Sequence, residues 1–310
     1  MPDRPPFGVL LVTGGLTHQE GYALGFRADP RCRLIGVADD ASVTPRRAAL
    51  NLRLAEELQI PVLPDFDAAL RRPDVHIASV STEHERQGPL AVRCAKAGKH
   101  LYMDKPMAGS VPDAYALAEA VRRAGVKGQM YTVLNLPQAQ RAKRIVDSGR
   151  LGDLRAIHCD MLFSKGNPGT APLGSPRKEQ YPPTQFRATD GKREMYNLAV
   201  YTLAMIRWLT RRKDFRSVRA VTANYFFAGH RNNDFEDFAA LAVALEGGVN
   251  ATITVGRIGW RGHARGGVNL VRLFGTRSSV TLEADFPRAE IVSDRGLAPV
   301  EVNPEDPMGF

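Results

Sequence analysis

The stretch Phe7-Gly8-Val9-Leu10-Leu11-Val12-Thr13-Gly14-Gly15-Leu16-Thr17 decides the fold. A short apolar run that stops at a glycine turn is the pattern of a strand buried on both faces of a parallel sheet. A helical stretch follows, from about His18 to Arg27. The N-terminus of such a helix is where a pyrophosphate docks, because its first N–H groups have no partner within the helix. Read from Val12, the dinucleotide fingerprint GxGxxG has Val12 for its first glycine and Thr17 for its last. Thr13, Gly14, Gly15 and Leu16 then form the candidate phosphate turn. Alone, the motif is weak, and its context strengthens it. The second apolar run, Arg33 to Ala38, closes at Asp39-Asp40. An acid in that place accepts both adenosine ribose hydroxyls and repels a 2′-phosphate, so Asp39 favours NAD. Arg46 and Arg47 lie close enough to keep NADP open.

Outward from this turn, strands and helices alternate. A helix is predicted over Pro45 to Leu58, a short strand at Val62-Leu63 and a short helix over Asp67 to Arg71. A strand over His76 to Ser81, a helix over Pro89 to Ala97 and a strand over His100 to Met103 follow. Ser110 and Asp113 form a candidate capping box, with Pro112 in the first turn of the next helix. The second half changes character. Helices are predicted over Pro137 to Ser148 and Tyr196 to Leu209. Strands are predicted over Leu154 to Phe163, Val218 to Phe227, Phe238 to Leu245, Val249 to Gly256, Val268 to Phe274 and Ser279 to Ala284. Val249, Ala251, Ile253 and Val255 alternate with polar residues, as in a sheet with one wet face. The fold class is therefore α/β. A Rossmann domain with a doubly wound parallel sheet (1–125) precedes an α+β domain (126–310) with an open, mainly antiparallel sheet.

At 310 residues, two domains are the natural expectation. The first apolar run is too short for a signal segment, and no run approaches the ~20 residues of a membrane span. A cytoplasmic protein with no membrane contact is expected. Cys32, Cys94 and Cys159 are dispersed without a CxxC pair, which suits buried, inert thiols and argues against a metal site. The net charge of +9 comes largely from scattered arginine pairs without interleaved aromatics, so nucleic acid is not an expected partner. A basic surface attracts anionic cofactors and substrates.

A second motif is more specific. Ala97-Gly98-Lys99-His100-Leu101-Tyr102-Met103-Asp104-Lys105-Pro106 resembles the "AGKHV…EKP" signature of the glucose-fructose oxidoreductase and inositol dehydrogenase family (Gfo/Idh/MocA). Ser81-Thr82-Glu83-His84 stands where that family has "TPN", closing a strand beside the cofactor, and Gln87 stands near a frequent family histidine. Ala142 to Gly152 and Gly191 to Leu209 resemble its later helices. The resemblance implies cofactor contacts from Ser81, Thr82, Glu83, Asp104 and Lys105. It also implies that the 191–209 helix lines the substrate cleft, with Asn135 and Lys165 as substrate-binding candidates. This chain departs from the pattern at Asn197 for the family Asp, Tyr201 for the family His, Ala204 for a second Asp, and Lys192-Arg193 within the glycine run.

Oxidising an alcohol needs hydride departure and removal of the hydroxyl proton. Tyr201 is the candidate base. A tyrosine pKa of about 10 is too high alone, and an adjacent Lys105 ammonium would favour the phenolate. Asn197 cannot hold a charge and would orient substrate by hydrogen bonding. His230 and His263 are expected in solvated loops. The resemblance implies an NAD-dependent dehydrogenase or reductase of a polyhydroxylated small molecule: a sugar, sugar acid or cyclitol. Two alternatives stand beside it: a redox-neutral lyase or glycosidase-type enzyme with retained NAD, and a non-catalytic dinucleotide sensor. It also implies a homodimer or homotetramer through the C-terminal sheet.

Overall fold

The structure, a computed structural model, describes residues 6–14, 18–164, 193–226, 230–231, 234–258, 267–283, 288–293 and 296–301. Two compact units divide the chain between Tyr131 and Thr132.

The first unit is built on strands β1 (Phe7–Val12), β2 (Cys32–Ala38), β3 (Val62–Leu63), β4 (Ile77–Val80), β5 (His100–Met103) and β6 (Gly128–Met130). They pair in parallel in the order β3-β2-β1-β4-β5-β6. This is the doubly wound order, and it reverses direction between β1 and β4, where such folds bind ligands at the carboxyl edge. The apolar run of β1 is explained by its central place. Leu10 and Val12 join one core with Leu90, Cys94 and Met103, while Val9 and Leu11 join another with Leu54 and Leu58. Both faces are therefore dry. Full burial of each such side chain contributes roughly 1.5–3 kcal/mol.

The connecting helices are α1 (Gln19–Ala28), α2 (Pro45–Leu58), α3 (Phe66–Arg71), α4 (His84–Lys96) and α5 (Val111–Ala124). Ser110 caps α5: its hydroxyl accepts from Asp113 N at 3.2 Å and donates to the Asp113 carboxylate at 2.7 Å. The helix boundary furthest from the sequence expectation is the start of α4. α4 begins at His84 rather than Pro89, so Pro89 lies inside it. Proline at the first helical position is the commoner case. Here the helix tolerates one missing N–H bond, and its opening turns carry Arg86 and Gln87 to the strand ends. β6 also extends the sheet beyond residue 125.

The second unit holds α6 (Pro137–Asp147), α7 (Glu194–Leu209) and an eight-stranded sheet. Its strands are β7 (Leu154–Ser164), β8 (Phe215–Ala223), β9 (Phe238–Leu245), β10 (Asn250–Ile258), β11 (Gly267–Gly275), β12 (Ser278–Glu283), β13 (Arg288–Ser293) and β14 (Gly296–Glu301). The order is β14-β13-β12-β11-β7-β10-β9-β8. All pairs are antiparallel except β7 with β10. The alternation read in β10 holds: Val249, Ala251, Ile253 and Val255 are buried, while Asn250 and Thr252 are exposed.

Cys94 and Cys159 are buried, and burial pushes both thiols up to about 12. Cys32 is only half-buried, contrary to expectation, because it opens β2 at the strand's amino end. No described helix is long and apolar enough to cross a membrane.

Candidate functional site

The carboxyl edge of the parallel sheet collects the candidates of the first unit. β1 ends at Val12, which pairs with Ala38 and Val80 as an ordinary strand residue. The residue that turns the chain is Thr13, at φ 65°. That backbone region favours glycine, so the tight turn itself falls on Thr13, one residue past the fingerprint's first position at Val12. Thr13 is held there by its hydroxyl, which donates to Ser81 O at 2.5 Å and ties the ends of β1 and β4 together. Gly14 sits in close approach: a Cβ there would lie 3.1 Å from Asn51 Cα, tighter than an ordinary contact. Gly15 and Leu16 lie outside the described residues, as do Lys165 and His263.

Asp104 follows β5 in a buried position with all its lone pairs engaged. Oδ1 accepts from Tyr22 Oη and Lys105 N, both at 2.8 Å. Oδ2 lies 2.8 Å from His18 Nδ1 and accepts from Ser81 Oγ at 3.3 Å. An ionised carboxylate has about four such sites, so Asp104 holds the edge together rather than offering oxygens outward. Burial alone would raise its carboxyl, but His18, the Lys105 charge and Tyr22 outweigh it and hold it below the ordinary range. Lys105 follows, buried, and its peptide bond to Pro106 is cis. Gln87 fastens this turn from α4. Its amide donates to Asp104 O at 2.7 Å and Pro106 O at 2.6 Å, and its carbonyl accepts from Thr82 N at 3.3 Å.

Asp39 stands where the sequence places it, directly after β2. Its Oδ2 accepts from Asn51 at 2.9 Å, and its Oδ1 accepts from Asp40 N at 2.8 Å and from Arg86. Glu83 accepts from Arg47 at 2.8 Å and from Thr82 Oγ1 at 2.6 Å. Arg47 is itself buried beneath the phosphate turn and donates to Gly14 O at 3.3 Å. Burial would raise the Glu83 carboxyl, yet the Arg47 charge and the Thr82 hydroxyl bring it down to about 2. Its folded value lies below the unfolded one, so its stabilisation is complete above about pH 4.5 and is lost as pH falls toward 2. Discounted for partial exposure, this is about 1–2 kcal/mol. Glu83→Gln is expected to flatten the acid limb of urea-unfolding stability between about pH 5 and 2.5. An acid limb as steep as that of the wild type contradicts this.

The residues fit a dinucleotide. The turn between β1 and α1 lies at the switch point, an acid closes β2, and Asn51 Oδ1 is buried beside Gly14 with no hydrogen-bond partner. Thr13, Gly14, Ser81 and Asp39 are the described residues able to hold it.

In the second unit, Glu194, Asn197 and Tyr201 follow one another at helical spacing on α7. Asn197 is half-buried and donates to Glu194 Oε2 at 3.3 Å. Glu194 is buried, with Arg257 Nε 2.5 Å from its other oxygen. Burial would raise this carboxyl, but Arg257, His230 and Asn197 hold it low. A negative charge therefore lies one turn before Asn197, although Asn197 itself has none. Tyr201 is 8% exposed. Asn135 is exposed on a 3₁₀ turn (Val133–Asn135) that packs against α7. His230 is buried rather than solvated, with Nδ1 3.4 Å from Glu236 O. Sequence reasoning missed Gln19, Tyr22, Arg86, Glu194 and Arg257. Each is an ordinary helix or strand residue with at least one partner distant in sequence: Gln19, for example, donates to Ser79 O at 2.7 Å, and Glu194 pairs with Arg257. No described group of His, Cys, Asp or Glu is placed to hold a metal ion.

Residues 9–132 match the family model described as "Oxidoreductase family, NAD-binding Rossmann fold", and residues 139–281 match the "GFO/IDH/MocA C-terminal domain". Among curated proteins, the chain is 29% identical over 136 residues to 1-carboxy-3-chloro-3,4-dihydroxycyclohexa-1,5-diene dehydrogenase of Comamonas testosteroni, covering 43% of this chain and 32% of that one. It is 28% identical over 130 residues to inositol 2-dehydrogenase of Pseudomonas fluorescens, covering 41% and 38%. The chain thus spans about a third of the length of these relatives. The solved aldose-aldose oxidoreductase of Caulobacter crescentus, complexed with glycerol, shares the fold at TM-score 0.72 and 22% identity, over 96% of this chain and 84% of that one. Matched in both halves, the chain belongs to the GFO/IDH/MocA family, and residues 9–132 are its NAD-binding Rossmann domain.

Proposed function

We propose that this protein is an NAD-dependent oxidoreductase that moves a hydride between nicotinamide and a hydroxyl-bearing carbon of a sugar, sugar acid or cyclitol. The observation that carries the reading is the β5 terminus: a buried lysine whose backbone N–H is held by a carboxylate with every lone pair taken inside the protein. Such a lysine is a positioned cation, suited to an alcohol oxygen or to the carbonyl it becomes. The relatives add that ring carbons bearing hydroxyls are the substrates in their names.

Bound NAD supplies the hydride acceptor. The chain supplies the rest. Lys105 holds the reacting oxygen. Tyr201 takes the hydroxyl proton, and returns one in the reducing direction. Asn197, braced by Glu194, orients substrate hydroxyls, with Asn135, on a turn that packs against the same helix, and Lys165 as further candidates. Thr82 and Glu83 act on the cofactor through the turn they form. Asp104 acts through Lys105. The exposed Phe163, Val218, Val221 and Phe274 of the open sheet are the proposed face for dimer or tetramer formation.

The test is a 340 nm screen of inositols, aldoses and sugar acids with NAD, and of their keto forms with NADH. At least one pair is expected to show turnover on the order of 1–10³ s⁻¹. Purified protein that retains NAD, yet shows no net reduction with any compound while altering one of them, would favour the redox-neutral lyase reading instead. Nucleotide binding without conversion of any compound would favour the sensor.

A further inference from the structure

The ribose end of the proposed cofactor site is not a bare acid. Arg86, from the first turn of α4, reaches Asp39 with Nη2, and the same nitrogen lies 2.9 Å from Asp40 Oδ1. Its Nη1 lies 3.3 Å from Glu83 Oε2, and its Nε is 3.3 Å from Ser42 Oγ. The side chain is only 17% exposed, and the Asp39 side chain only 6%. Arg47 occupies the other Glu83 oxygen, and Arg93 lies 2.9 Å from the second oxygen of Asp40. The three acids are therefore matched by neighbouring guanidiniums.

An acid at the end of the second strand discriminates against a 2′-phosphate by its charge. Here that charge is paired before any nucleotide arrives. The pairing group is a planar fork of donors, the geometry that suits a phosphate as well as a carboxylate.

We propose that Arg86 is a specificity-determining residue. By neutralising Asp39 and offering its fork to a 2′-phosphate, it makes this site accept NADP as well as NAD. The inference rests on the cofactor reading above. Asp39 still accepts the ribose hydroxyls of NAD when Arg86 turns toward Asp40 and Glu83, which already hold it. With NADP, Arg86 exchanges Asp39 for the phosphate.

The experiment is calorimetric titration of the full chain with NAD and with NADP, read as the ratio of the two dissociation constants. A structural loss weakens both nucleotides together and leaves the ratio unmoved. The wild-type ratio is expected to stay within about tenfold of unity. Arg86→Gln is expected to raise the NADP-to-NAD ratio about 10- to 100-fold, the size of a charge-assisted hydrogen bond. Asp39→Asn is expected to lower the ratio. Arg86→Lys, which keeps charge without the fork, is expected to fall between wild type and Arg86→Gln. If Arg86→Gln does not fold, the Lys and Asn variants carry the same test. A ratio that Arg86→Gln leaves unchanged or shifts toward NADP overturns this inference and leaves the oxidoreductase reading standing. Wild-type protein that binds neither nucleotide overturns both.

Discussion

Lys105→Ala is expected to lower kcat by about 10³-fold or more, within or above the 10²–10⁴ range of one acid–base group, while NADH still binds. The expectation comes from how the lysine is held. Its backbone N–H donates to Asp104, which Tyr22, His18 and Ser81 fix in turn. Gln87 binds the carbonyls on both sides of it, those of Asp104 and Pro106. A backbone held from so many directions launches its buried side chain from one place, and on the proposed mechanism alanine removes the group that meets the reacting oxygen. Because Lys105 is buried, the variant's thermal unfolding should be compared with the wild type. Single-turnover kinetics then separates chemistry from binding. Turnover near the wild-type value in a folded variant would remove Lys105 from the mechanism.

Tyr201→Phe is expected to cost about 10²–10⁴ in kcat with a smaller change in KM, since the hydroxyl acts on the proton in flight. The ring stays, so the packing of α7 around Leu198, Met205 and Ile206 is kept and the fold is little disturbed. This matters because Tyr201 is buried, and ordinary core packing explains a buried tyrosine equally well. Unchanged rates would favour that packing role and move the base elsewhere. Loss of activity through the fold alone would lower Tm, which the phenylalanine variant is expected to leave near that of the wild type.

The architecture was legible in the sequence wherever burial leaves a periodic trace. β1 is apolar on both faces because it is central, and β10 alternates because one face is wet. The glycine turn marked the switch point, and β1 ends at Val12, where the apolar run stops. Thr13 concealed the turn, because a threonine at positive φ gives no local signal and persists through a hydroxyl bond to Ser81. Pro89 misled in the opposite sense, since proline usually opens a helix and here lies inside one. β13 and β14 lack a strong apolar alternation and went unread.

Of the candidate site, the sequence pointed to Asp39 by its place after a strand, to Asp104 and Lys105 by a family motif, and to Asn197 and Tyr201 as departures from one. It could not find the residues that act on those. Arg86 pairs with Asp39 across 47 positions, and Tyr22 with Asp104 across 82. Only the sheet brings these together. Glu194 was closer, three residues before Asn197 on the same helix. A helical reading of the segment could have suggested it as the carboxylate next to an asparagine that lacks one.

The central claim is that the first unit holds a nicotinamide dinucleotide. Thermal unfolding of the full chain should be followed as NADH is added, after the absorbance of the purified protein is checked for retained nucleotide. At 100-fold over Kd, a one-site ligand stabilises by about 2.7 kcal/mol, which for a chain of this size raises Tm by several degrees. That rise, saturating with concentration, is expected, or a purified protein already loaded with nucleotide. A Tm that does not move with NAD(H) or NADP(H), in protein free of nucleotide, would contradict it.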